Sequence, residues 1–210
     1  VAERKVFVQL TGEVGTGKTI MLDALVHGLD ATTKVARITN TTISRMDLLR
    51  ALAWELGLPG TGRTKMEMLR EVSDCLTRWA ADGRNAVFVI DEAQNLEAPI
   101  LEEIRLLSNL RSLERSTLQI VLAGQPELRT KLEGPELRQL RQRIGIRYHL
   151  EPLSLDETGE YVRHRLRVAG AKDDRVFDAS AIDAVYEYSR GIPRMVNMIC
   201  DNSLCICASS

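Results

Sequence analysis

Apolar residues follow two rhythms along this chain, and the alternation between them sets out the fold. Five short unbroken runs, Val6–Leu10, Val35–Ile38, Ala86–Ile90, Leu118–Ala123 and Ile146–Leu150, are rich in β-branched residues. Continuous apolar runs of this kind predict strands covered on both faces, as in a parallel sheet. Between them the apolar positions return every three or four residues: Met46, Leu49, Ala53 and Leu56, then Leu69, Val72, Leu76 and Trp79, then Ile104, Leu107 and Leu110. That spacing keeps each set on one helical face. Strand and helix in alternation predict an α/β fold with a five-stranded parallel sheet flanked by helices. Thr61-Gly62 and Asp82-Gly83 punctuate the connections.

After about Pro152 the strand rhythm stops. Three helical segments follow, Leu155–Ala169, Ser180–Ser189 and Pro193–Ile206, the first opened by Ser154 with Glu157 three residues on, a capping box. We therefore expect a core over residues 1–152 and a small helical domain over 153–210.

Composition narrows the function classes. With 210 residues the chain can bury one substantial core and a small second one. Its 28 basic and 29 acidic residues leave a net charge of -1, so no global charge argues for nucleic acid or an anionic membrane. No apolar run approaches the roughly 20 residues that cross a bilayer, and "VAERKVFVQL" lacks a signal-peptide layout, so a cytoplasmic location is expected. Cys75, Cys200, Cys205 and Cys207 lack C-x-x-C spacing and a partner His cluster, and read as buried thiols in helices. His27, His149 and His164 are scattered and read as structural.

The chemistry begins right after the first strand. Gly12-Glu13-Val14-Gly15-Thr16-Gly17-Lys18-Thr19 fits G-x-x-x-x-G-K-[ST] between a predicted strand and a predicted helix that continues through Ile20. That context separates a phosphate loop from a ligand-free glycine turn. Glycines let successive N–H groups turn toward a β-phosphate, and the helix N-terminus adds its positive dipole end. Lys18 would reach the β and γ oxygens, and the Thr19 hydroxyl would ligate Mg²⁺.

A phosphate loop alone says only that nucleotide binds. "AVFVIDEAQNL" adds Asp91 and Glu92 at the carboxyl end of a strand, where ligands bind in open α/β sheets. Asp91 would hold Mg²⁺ through water, and Glu92 would polarise the attacking water. The alternative is a solvated turn or a helix cap. Gln125 ends the strand "LQIVLAG" and would sit beside the γ-phosphate if that strand lies between the other two; a plain polar cap before Pro126 fits as well. Asn40, closing the second strand, could hydrogen-bond Glu92.

Arginines form the last constellation. "GPELRQLRQRIGIRYHL" sets Arg138, Arg141 and Arg143 on a short helix before the fifth strand, where they could meet a neighbouring subunit's γ-phosphate, or remain solvated or contact DNA phosphates. "SRGIPRMVN" fixes Arg194 behind Pro193 at a helix start, from which it could reach back to nucleotide.

Together the phosphate loop, "VFVIDEAQNL", "IRLLSNL", "VLAGQPEL", "LRQLRQRI", "RYHLEPLS" and "SRGIPRMVN" resemble the AAA+ ATPase domain of the ExeA-type general secretion pathway protein A family, along nearly the whole chain. The resemblance implies a P-loop NTPase core with a small helical lid, using ATP and Mg²⁺. Its bound nucleotide would lie on Gly12 to Ile20, with Thr19 and Asp91 toward the metal. Glu92, sensor 1 Gln125, an arginine finger at Arg143 or Arg141, and sensor 2 Arg194 would act on the phosphates. It implies a homo-oligomer that helps assemble or insert a secretin. The module would be tethered to the inner membrane, with secretion partners and peptidoglycan reached through other parts of a longer protein. A DNA-binding transposition regulator that uses ATP as an assembly switch is the second reading, disfavoured by the near-neutral charge.

Overall fold

The computed structural model describes residues 6–39, 41, 43–60, 64–109 and 118–209. Five strands form one sheet: β1 (Phe7–Gly12), β2 (Thr33–Ile38), β3 (Asn85–Ile90), β4 (Leu118–Gly124) and β5 (Ile144–Leu150). Their order across the sheet is β2-β3-β4-β1-β5. β1, β3 and β4 run parallel in continuous register, Phe7 opposite Ile120 and Phe88 opposite Ile120 from the other side. So β4 lies between β1 and β3. That placement brings the carboxyl ends of the three strands to one rim.

The helices are α1 (Lys18–His27), α2 (Arg45–Glu55), α3 (Lys65–Ala81), α4 (Ala98–Leu107), α5 (Pro126–Leu132), α6 (Arg138–Arg143), α7 (Leu155–Val168), α8 (Ala179–Ser189) and α9 (Pro193–Ala208). Reciprocal Ser/Thr-to-acid capping boxes start α2, α3 and α7: Ser44 with Asp47, Thr64 with Glu67, and Ser154 with Glu157 as expected. Leu49, Ala53 and Leu56, then Val72 and Leu76, then Ile104 and Leu107 are buried as their spacing requires. Leu110, Thr61-Gly62 and Asn40 lie outside the described residues.

The chain packs as two units. The first takes in β1 up to Thr11 and residues 18–149; the second takes in residues 12–17 and 150–210. The core of the first is built on Phe7, Phe88, Leu52, Leu76, Leu101 and Ile104, all fully buried. That of the second is smaller, formed by Val162, Ile182, Val185, Val196 and Cys200. Among the described residues no helix is long and apolar enough to cross a membrane.

The two edge strands depart from expectation: β2 starts at Thr33 rather than Val35 and is only half-buried. β5 starts at Ile144 rather than Ile146, and Gly145 to His149 are all exposed. The reason is position and composition: β5 is an edge strand with one neighbour, and "IGIRYHL" interleaves polar residues among its apolar ones.

Candidate functional site

β3 is buried from Ala86 to Ile90 and ends in Asp91, itself 5% exposed. The Thr19 hydroxyl, at the second residue of α1, donates to Asp91 Oδ2 at 3.2 Å. The Glu92 N–H donates to Asp91 Oδ1 at 3.0 Å, and Arg37 of β2 approaches Oδ2 at 3.5 Å while bonding Asp23 on α1. Lys18 is buried at the first position of α1, and Ile20 is exposed beyond it. A hydroxyl beside a carboxylate is a hard-oxygen pair, and among the described residues no three His, Cys, Asp or Glu cluster to cage a metal. Two oxygen donors suit Mg²⁺, which keeps several of its own waters.

Glu92 is held differently from its neighbour. Its backbone is left-handed, φ 53° and ψ 36°, a conformation that costs a non-glycine residue about 1–3 kcal/mol and clusters at functional sites. Its Oε2 accepts from Gln94 Nε2 at 2.5 Å and from Gln125 Nε2 at 3.3 Å. Gln94 Oε1 in turn accepts the Gln125 backbone N–H at 3.1 Å, closing a ring of three residues. Neither polar residue acts as a plain cap: Glu92 precedes a 3-10 turn and Gln125 precedes α5, yet neither side chain makes a capping bond. A Cβ at position 124 would lie 2.5 Å from Gln94 Oε1, so a side chain there would push the Gln94 amide out of this ring. Lys131 fastens the same turn from α5, donating to the carbonyls of Gln94 and Leu96.

In the second unit, residues 12–17 form a tight loop. The Thr16 hydroxyl donates to Glu13 O at 2.8 Å, while Glu13 and Val14 turn outward. Gly15 and Gly17 adopt φ of 86° and 100°, which side-chain-bearing residues rarely reach. A Cβ on Gly15 would come within 2.7 Å of Arg194 Cβ, whereas one on Gly17 would meet nothing within 4 Å. Packing inside the chain therefore explains Gly15, and open space beside Gly17 fits a loop that admits a ligand. Arg194, at the start of α9, donates its N–H to Gly15 O at 3.2 Å, so the loop and this arginine are neighbours.

The remaining arginines separate. Arg143 Nη1 donates to Ser108 Oγ at 2.7 Å and Asn109 Oδ1 at 2.6 Å, at the end of α4. Arg141 donates to Glu133 O at 3.2 Å, and Arg138 is exposed. Among the cysteines, Cys75 and Cys200 are buried, and burial pushes both thiols above the usual range. Cys205 and Cys207 correct the expectation of buried thiols: both are exposed, in the last turns of α9.

Sequence reasoning missed Gln94, Arg37 and Lys131. The signal for Gln94 lay in "IDEAQNL", where it falls one short turn after Glu92. For Arg37 it was a lone cation in an otherwise apolar strand ending. Lys131 carried none, because its partners are main-chain carbonyls.

Comparison with known proteins bears on the family and the fold. General secretion pathway protein A of Aeromonas hydrophila is 45% identical over 94% of this chain, which covers 36% of that protein. ATP-dependent target DNA activator B of Escherichia phage Mu is 32% identical over 114 residues, 52% of this chain and 33% of that protein. The chain spans about a third of the length of these curated relatives. The ADP form of the Aeropyrum pernix ORC2 protein shares the fold, with a TM-score of 0.68 at 17% identity over 92% of this chain and 55% of that one. The expected fold and the expected resemblance are both borne out. A model of the AAA domain matches residues 2–132, more than half of the chain, so this protein belongs to the AAA domain family.

Proposed function

We propose that the chain is a Mg²⁺-dependent ATPase module of the general secretion pathway protein A type, working as a homo-oligomer to drive assembly or insertion of a secretin. The observation that carries the chemistry is the 3.2 Å hydrogen bond from Thr19 to Asp91, which joins the end of the phosphate-loop motif to the acidic end of β3. Gly12 to Ile20 bind the phosphates, with Lys18 facing the β and γ oxygens. Thr19 and Asp91 would hold Mg²⁺, which when bound would neutralise charge on the phosphates. Glu92 takes the water proton at Oε2, the oxygen that Gln94 and Gln125 fix, and Gln125 also orients the water.

Arg143 serves as the finger for a neighbouring subunit, oriented by Ser108 and Asn109, with Arg141 as the alternative. Arg194, whose backbone N–H bonds Gly15 O, reaches back to the nucleotide with its guanidinium and senses its state. The secretion role rests on 45% identity along nearly the whole chain; the inner membrane and peptidoglycan would be reached through parts of a longer protein. Lys18→Ala tests the reading first, and titration calorimetry should show ATP binding abolished. Unchanged affinity would remove the phosphate-loop role.

The second reading, ATP-switched assembly on DNA, draws support from the 114-residue match to the phage activator. It predicts ATP-dependent DNA retention at low salt that weakens with a log–log slope of about -0.9 per phosphate contact. No retention by a folded, ATP-bound sample would leave secretion as the reading.

A further inference from the structure

A second constellation of cations lies away from Lys18, Thr19, Asp91, Glu92 and Gln125, none of which lines it. α5, α6, β1 and β5 enclose a cavity of about 570 Å³ walled by Arg129, Arg141, Arg147, His149, Glu133 and Gln9. Three guanidiniums face a single carboxylate, and Glu133 stands 3.7 Å from Arg129, so the cavity is electropositive. Arg141 and Arg147 are held in place by main-chain carbonyls: Arg141 donates to Glu133 O at 3.2 Å and Arg147 to Arg141 O at 2.8 Å. A guanidinium has five N–H donors, so each keeps most of its fork for a ligand.

The floor carries an independent sign. Gln9, in the middle of β1, is 4% exposed, and among the described residues its side-chain amide has no hydrogen-bond partner. The residue lines the cavity, where a ligand oxygen would accept from the amide N–H groups. Next along the same face, Thr11 is already engaged with His149 Nδ1 at 2.9 Å. Gln9 is therefore the polar group left facing the cavity.

We propose that this cavity is a second anion site, taking the phosphate group of a phosphorylated ligand. Rigid planar forks match phosphate oxygens in bidentate fashion, and bringing three like charges together is relieved when an anion enters. The volume falls in the range of pockets that take small molecules. The phosphate could belong to a free compound or to a nucleic-acid strand, and the two differ in what binds.

The test uses the full chain carrying Lys18→Ala, which leaves every wall of the cavity intact. Pyrophosphate and AMP are titrated by calorimetry, and a labelled DNA oligonucleotide by anisotropy at low salt. We expect saturable binding in at least one arm: pyrophosphate or AMP identifies a free phosphate compound, the oligonucleotide alone a strand. Adding Arg147→Gln should weaken that binding about tenfold or more, and Gln9→Met severalfold. Arg84→Gln, at a surface arginine stacked on Trp79, should leave it unchanged. Circular dichroism melts verify that each variant is folded. No binding in any arm, or equal weakening by Arg84→Gln and Arg147→Gln, would overturn the proposal.

Discussion

β3 and β5 run in the same sheet yet carry their polar chemistry in opposite ways. β3 is closed on both faces by apolar packing, so its functional groups are confined to the residues that follow it, Asp91 and Glu92. β5 is an exposed edge, so Arg147 and His149 can present side chains along its length, and α6 delivers Arg141 and Arg143 at its start. The contrast teaches that a buried strand aims chemistry at one point on the rim, while an edge strand offers a surface. In this account the chain attacks its own nucleotide from β3 and serves another molecule from β5.

The largest expected effect falls on the β5 side. Arg143→Ala should lower ATP turnover by about 10³ to 10⁵, the usual worth of an arginine supplied in trans. Mixing inactive Arg143→Ala with inactive Glu92→Gln should restore part of the activity, because some interfaces then pair an intact Glu92 with an intact arginine. If the mixture stays inactive although the proteins co-assemble, β5 and α6 do not serve a neighbour and this half of the comparison breaks.

Stability should divide the strands the other way. Phe88→Ala empties a fully buried site in β3 and should cost about 3–5 kcal/mol in denaturant unfolding, whereas Tyr148→Ala on β5 should cost under about 1 kcal/mol. Equal losses would mean that β5 is covered in solution.

Much of this contrast could be read in the sequence, though unevenly. "VFVQL", "NAVFVI" and "LQIVLAG" announced their strands because burial on both faces demands continuous apolar residues. The same rule misjudged β5, since an edge strand needs no such run. Asp91 and Glu92 stood out in the sequence because the upstream phosphate-loop motif gave their position meaning. Gln94 was not, because its role depends on how the turn after Glu92 folds back over Gly124. The cavity around Gln9 was hidden for a similar reason: β1 lies more than a hundred residues of chain before α5, α6 and β5, which supply the other walls.

Gln94→Leu sharpens the β3 side. It removes one of two donors on Glu92 while Gln125 remains, so turnover should fall about tenfold with ATP affinity little changed. An unchanged rate would leave Gln94 a purely structural residue.

The smallest effect concerns pH. The Ser154 backbone N–H and hydroxyl hold the Glu157 carboxyl below its usual range, and the Ala181 N–H with the Ser180 hydroxyl does so for Asp178. Because their folded values are depressed, these carboxylates add stability that is complete above the ordinary carboxylate range. It is lost as pH falls through the folded values. Acid titration of Glu157→Gln should therefore show a shallower loss of stability below about pH 4.5 than the parent chain. Identical slopes would show that the α7 cap contributes nothing.

The central claim is that the carboxylate after β3, fixed by two glutamines, performs the hydrolysis. Its most direct test is Glu92→Gln, followed by ATP binding in the presence of Mg²⁺ and by turnover on the same assembled sample. The account predicts binding within a few-fold of the parent and turnover lower by about 10² to 10⁴. Near-normal turnover would contradict it, because another group would then have to position the water.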